Sequence, residues 1–279
     1  MSNTIHLAHS PDSDDAFMFH ALANGKIDTG DLEFIHELKD IETLNQSAME
    51  EKYEVTAVSF HAYSYIADKY AILPHGGSFG DNYGPVIISS KPIQKEELKD
   101  CRIAIPGLLT TAYLTLKIFM GGAELTQRAL PFDEIMDNVK ENKVDAGVLI
   151  HEGQLTFEEE GFHLVEDLGK WWKRETGGPL PLGCNVIRKD LGQERIDQIS
   201  SLLHQSIVYS LENREEALDH AMQYARDLPR EKADQFVGMY VNNWTTEYNQ
   251  TSIKAVTEIL EKAYKLEIIP NMVEPEFTN

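Results

Sequence analysis

Short apolar runs alternate with amphipathic stretches along most of the chain, the pattern of an α/β fold. The runs at residues 4–9, 32–38, 54–59, 83–89, 102–106, 144–150 and 182–188 predict strands. Between them apolar positions recur at helical spacing. Residues 16–24 follow a capping signal at Asp14-Asp15, and residues 41–51 carry Ile41, Leu44 and Ala48 on one face. The last third changes character. Ile196, Ile199, Leu203, Ile207 and Leu211 mark one long amphipathic helix, and further helical patterns follow at 215–227, 230–241 and 252–265. No convincing strand lies among them, so these helices are expected to cover a sheet made elsewhere.

Two extended segments combine Gly and Pro with an apolar strand, YGPVIISSKP and GGPLPLGCNVIRKD. They read as crossings between lobes, because the block between them is a complete strand–helix–strand unit. The division expected is a larger discontinuous α/β lobe, 1–90 plus 184–279, and a smaller inserted lobe, 91–183. A domain inserted into another through two extended strands is the architecture of two-lobed periplasmic-type binding proteins, in which the ligand sits in the cleft between lobes. No internal repeat or low-complexity linker interrupts the pattern.

Composition narrows the partners. The 279 residues are 42% hydrophobic and 25% charged, ordinary for a globular protein, with 25 Lys+Arg against 46 Asp+Glu for a formal charge of -21. Such a surface repels nucleic acid and anionic membrane. A small anionic substrate would need a local positive field, such as a helix N-terminus. Cys101 and Cys184 cannot make a metal site alone. The N-terminus has no basic and apolar signal regions, and no apolar run is long enough for a membrane span, so a cytoplasmic setting is expected.

In RIAIPGLLTTAY an apolar strand runs through a short loop to Thr110, suited to cap the helix that follows, with Thr111 in its first turn. Free N–H groups and two hydroxyls there suit a carboxylate or phosphate; the alternative is a plain helix cap. The strand 144–150 ends in His151-Glu152, where an α/β fold puts ligand-contacting side chains. A neutral imidazole there can take a proton near neutral pH, although a histidine bonded to backbone is the other reading. HSPDSDDAF gathers His9, Asp12, Asp14 and Asp15 without a defined ligand spacing, so capping explains the acids and no metal is expected, while Ser10 could still line the cleft. Thr56 and Ser59, with His61 and Tyr63 beyond, are either cleft-lining groups or an ordinary strand end. Trp171-Trp172 reads as hinge packing. Walker, GxGxxG, GxSxG and HExxH motifs are all missing.

Four segments taken together, DIETLN (40–45), LLTTAY (108–113), LIHEGQLTF (149–157) and DLGKWWKRETGGPLPLG (167–183), resemble the 1,4-dihydroxy-6-naphthoate synthase family over nearly the whole chain. The resemblance implies a periplasmic-binding-protein-like fold used as a lyase of the futalosine route to menaquinone. Its substrate would be cyclic dehypoxanthine futalosine, split to 1,4-dihydroxy-6-naphthoate with loss of a three-carbon fragment and no metal or organic cofactor. By position it implies His151 as catalytic base, with Thr110-Thr111 and Val55-Thr56-Ala57 holding the substrate. One segment departs: where the family is expected to read Ser-Pro-Cys-Pro-Asn-Asp-Thr-Phe, this chain reads Ser10-Pro11-Asp12-Ser13-Asp14-Asp15-Ala16-Phe17. The alternatives are the related chorismate dehydratase step and a non-catalytic cytoplasmic solute-binding or sensor protein on the same fold.

Overall fold

The computed structural model describes residues 3–225 and 228–278. The chain begins with β1 (Thr4–His9), α1 (Ser13–Ala23), β2 (Glu33–Leu38), α2 (Ile41–Met49), β3 (Val55–Ser59), α3 (Phe60–Ile66), β4 (Tyr70–Ile72) and β5 (Ser78–Gly80). It then crosses to a second sheet with β6 (Val86–Ser89), β7 (Arg102–Ile105), α4 (Thr111–Phe119), β8 (Thr126–Ala129), α5 (Ile135–Lys140), β9 (Ala146–Leu149), β10 (His163–Asp167) and α6 (Leu168–Thr176). It returns through β11 (Leu180–Arg188) and closes with α7 (Gln193–Glu212), α8 (Arg214–Ala221), α9 (Arg230–Tyr240), α10 (Asn243–Thr246) and α11 (Gln250–Lys265).

The first sheet has the order β2-β1-β3-β11-β4, with β5 also on β11. β1 runs parallel to β2 and β3, whereas β11 lies antiparallel to β3, from Gly183 opposite Ser59 to Ile187 opposite Val55. Every residue of β3 is buried, as expected of a central strand covered on both faces. One cover is α1, which buries Ala16 through Leu22 without a break and packs Phe17 and Phe19 against Ile199, Leu203 and Ile207 of α7. A helix apolar all round is one enclosed by other elements. The long helix expected around 196–211 is α7, and α9 and α11 match the patterns at 230–241 and 252–265. The pattern at 215–227 corresponds to α8, and its residues 226 and 227 lie outside the described residues.

The second sheet has the order β10-β6-β9-β7-β8. Its core holds Ile103, Ile105, Val148 and Ile87 against Leu116 and Phe119 of α4. β6 belongs to this sheet although the sequence-based division put residues up to 90 in the other lobe. β11 starts at Leu180, ahead of the expected return at 184, and pairs wholly within the first sheet. The chain therefore passes between sheets at 81–85 and 177–179.

These crossings are packed together. Trp172 is fully buried and its indole N–H donates to the Pro179 carbonyl at 3.0 Å. Asp167 caps α6 by accepting from the N–H groups of Gly169 and Lys170, both at 2.9 Å. A Cβ on Gly169 would sit 1.9 Å from the Tyr83 carbonyl oxygen, so only glycine lets the start of α6 touch the first crossing. Among the described residues no helix is long and apolar enough to cross a membrane.

Candidate functional site

The facing ends of the two sheets line a cleft that opens to solvent. Ser10, Asp12, Asp14 and Asp15 line it from the β1–α1 turn, Ala57 and Ser59 from β3, and Asn185 from β11. The other wall supplies Thr110, Thr111 and Ala112 at the start of α4, with Ile150 and Gln154 after β9; Tyr240 of α9 completes it. Five expected site residues, Ser10, Ala57, Ser59, Thr110 and Thr111, thus meet at one cavity. Val55 is packed in the core, and Thr56 is fully buried with its hydroxyl donating to the Ala57 carbonyl at 3.1 Å; neither lines the cleft.

Thr110 caps α4: its extended backbone (φ -74°, ψ 146°) lets Oγ1 accept from the Tyr113 N–H at 3.2 Å. The same hydroxyl donates to the Gly107 carbonyl at 2.9 Å, and that of Thr111 donates to the Leu182 carbonyl at 2.5 Å. Both hydroxyl protons are therefore spent on the protein. What remains for an anion is backbone: the N–H groups of Thr111 and Ala112 fall in the first turn, where a helix has no internal acceptors, at the positive end of its dipole. Ser59 is held in turn by Asn45, whose Oδ1 accepts the Ser59 N–H at 2.8 Å and whose Nδ2 donates to Ser59 Oγ at 3.2 Å. That explains one residue of the DIETLN segment. Another, Glu42, accepts the Leu109 N–H at 3.1 Å across the gap between sheets.

The opposite wall is acidic. Helix α1 is capped by the backbone of Asp12, not by Asp14-Asp15, which instead occupy its first turn. Asp15 Oδ2 accepts the Ser10 N–H at 2.8 Å, and Ser10 Oγ donates to Asp12 Oδ2 at 2.9 Å. Burial, reinforced by the charges of Asp15, Asp12 and Glu152, lifts Asp14 well above the usual carboxylate range. Burial pushes Asp15 up to about 7, and burial followed by the Asp12 charge raises Glu152. Ser13 Oγ donates to Glu152 Oε1 at 3.0 Å, tying the two walls together. Among the described residues no group of three or more His, Cys, Asp or Glu side chains could hold a metal ion.

His151 ends the apolar run for a structural reason. It caps a short 3-10 turn, Glu152–Leu155, with Nδ1 accepting the Gly153 N–H at 3.0 Å. Nε2 donates to the Phe132 carbonyl at 3.1 Å, so the ring is the neutral Nε2–H tautomer with both nitrogens engaged. Gly153 is required, since a Cβ there would lie 2.9 Å from His151 Cε1. His151 does not line the cavity, although Ile150 before it and Gln154 after it in the chain do. His61 and Tyr63 do not line it either. His61 is buried, which pushes its imidazole down to about 4, and Tyr63 Oη accepts the Glu276 N–H at 3.0 Å.

Gln154, Asn185 and Tyr240 are cleft residues that sequence reasoning missed. The amide of Gln154 follows His151 in the LIHEGQLTF segment, but nothing in the pattern separates it from a surface glutamine. Asn185 sits in a nearly continuous apolar strand, and that position for an amide was the available signal.

The family model for menaquinone biosynthesis matches residues 5–265. The chain is 35% identical over 260 residues to the 1,4-dihydroxy-6-naphthoate synthase of Thermus thermophilus, covering 93% of each. It is 30% identical to that of Streptomyces coelicolor over 278 residues and 96% of each. A crystal structure of an Archaeoglobus fulgidus protein superposes with a TM-score of 0.91 at 44% identity, covering 96% of this chain and 99% of that one. The alkanesulfonate-binding protein of Xanthomonas axonopodis superposes with a TM-score of 0.73 at 14% identity, covering 98% and 96%, which shows the shared fold. The fold is the two-lobed periplasmic-binding-protein type, and the chain belongs to the menaquinone biosynthesis family.

Proposed function

We propose that the protein is a cytoplasmic carbon–carbon lyase that converts cyclic dehypoxanthine futalosine to 1,4-dihydroxy-6-naphthoate, its lobes comprising residues 1–85 plus 180–279 and 86–179. The observation that carries this reading is the start of α4, whose first-turn residues Thr111 and Ala112 line the cleft in a chain of charge -21. That is the local positive end a carboxylate substrate needs. The relatives named for this activity, aligned over nearly the whole chain, support it.

With the carboxylate anchored at Thr111 and Ala112, the reacting end of the substrate lies along the same wall, toward the strand end after β9. The base removes a hydroxyl proton, the oxygen's electrons form a carbonyl, and the neighbouring C–C bond breaks. Its electron pair enters the ring system, which becomes aromatic. His151 is the base in this reading. Its ring is already neutral, and it reaches substrate by giving up the Gly153 and Phe132 contacts as the lobes settle on the ligand. General-base help of this kind is worth about a hundred- to ten-thousand-fold. A second assignment rests on Asp15, which lines the cleft with its proton affinity raised to about 7.

Incubation with the cyclic substrate, followed by mass analysis, tests the activity: 1,4-dihydroxy-6-naphthoate is expected, and intact ligand recovered at equimolar protein overturns it. His151→Ala with turnover lost and binding kept supports His151. Full turnover in that variant moves the base to Asp15.

A further inference from the structure

One side chain joins the two lobes and faces the ligand space at once. Gln154 follows β9 of the second sheet, and its Oε1 accepts the hydroxyl of Tyr240 at 2.9 Å from α9, which packs with the first. Its other amide atom, Nε2, has no hydrogen-bond partner, although the residue is only 9% exposed and lines the cleft. A buried donor left unpaired is costly, and such groups in folded proteins are normally satisfied. In this arrangement the Tyr240 hydroxyl donates to the carbonyl oxygen, so the amide's NH2 group is the end left without a partner.

The first lobe offers a complementary atom. Asn185 on β11 donates through Nδ2 to the Gly76 carbonyl at 3.0 Å, which leaves Oδ1 buried, unpartnered and on the same cleft. A donor on one lobe and an acceptor on the other suit a ligand rich in hydroxyl groups.

We propose that Gln154 is a specificity and closure residue: Nε2 donates to a hydroxyl or carbonyl oxygen of the ligand's sugar-derived part, while Oε1 keeps the lobes latched through Tyr240. The identity of that ligand rests on the function proposed above. Occupancy and closure are then coupled through one amide, because a ligand that meets Nε2 also orients Oε1 for the latch. Asn185 Oδ1 accepts a hydroxyl proton from the same part of the ligand.

Two substitutions separate the halves of the device. Gln154→Glu keeps the shape and the acceptor for Tyr240 but turns the ligand-facing donor into an acceptor. Tyr240→Phe removes the latch and leaves Nε2 in place. Substrate binding by calorimetry, kcat and KM, and the radius of gyration with and without substrate are measured on all three proteins, with thermal melts as a check on folding. Gln154→Glu is expected to weaken binding and raise KM about ten- to a hundredfold with a melting curve like wild type. Tyr240→Phe is expected to show a smaller rise in KM and less compaction on adding substrate. Wild-type affinity and KM in Gln154→Glu would overturn the inference while leaving the lyase reading intact. Wild-type protein that neither binds nor cleaves the substrate overturns the lyase reading and, with it, the ligand class named here.

Discussion

Acid should loosen this fold through His9, at the end of β1 just before the cleft. Its Nδ1–H donates to the Ser10 carbonyl at 2.9 Å, and Nε2 lies 3.3 Å from His36 Nδ1. With Nδ1 of His9 committed to a carbonyl, Nε2 must accept, so His36 donates. Burial above all, then the nearby His36, lowers the His9 pKa from 6.5 to about 3. The unfolded chain therefore binds a proton near pH 6.5 that the folded protein refuses until about pH 3. The stabilisation is complete above the upper value and disappears as pH falls toward the lower. At about 1.4 kcal/mol per unit, His9 alone costs the fold about 2 kcal/mol on going from pH 7.5 to pH 5. His9→Phe keeps a ring against Phe19, whose centroid is 4.5 Å away, but cannot titrate. Urea unfolding at the two pH values is the assay. The variant starts less stable, because it loses two hydrogen bonds, yet its loss on acidification should be smaller than that of wild type by about 2 kcal/mol. Parallel losses in the two proteins would refute the reasoning.

Asp15 should show the opposite sign. Its folded pKa, raised from 3.8 to about 7, penalises the fold as pH rises through that window. Asp15→Asn is therefore expected to gain up to about 4 kcal/mol relative to wild type between pH 4 and pH 8, read from the same unfolding curves. Gly153→Ala drives a methyl to 2.9 Å from His151 Cε1 and displaces the ring. Turnover of the cyclic substrate is expected to fall about a hundredfold or more, with substrate affinity measured by calorimetry little changed.

Much of the fold was legible because the strands that build the cleft are apolar runs with clear ends. Thr4–His9 was read to the residue, and Val55–Ser59 and Arg102–Ile105 within one residue at an end. The strands that escaped carry no such signal. Thr126–Ala129 is a polar edge strand, His163–Asp167 is an edge strand with exposed positions, and Tyr70–Ile72 and Ser78–Gly80 are three residues each. They exist because a neighbouring strand offers hydrogen bonds, which is a tertiary cause. The Thr110 cap was visible as a residue type before an apolar helix. That its hydroxyl is spent on Gly107 was not, because Gly107 lies in a loop whose path the pattern does not set. His151 shows the same limit. The strand end was legible, but the direction of the ring depends on Phe132, brought in from the turn before α5.

The return of β11 into the first sheet has a consequence for the birth of the molecule on the ribosome. β3 can find its antiparallel neighbour only after some hundred and twenty intervening residues, by rough count, have been made. The inserted unit, by contrast, has all five of its strands available first, and it can assemble while the enclosing one still waits. The nascent chain meanwhile holds β3 with one edge unpaired until β11 arrives, so a chaperone would find its longest-lived apolar client surface there.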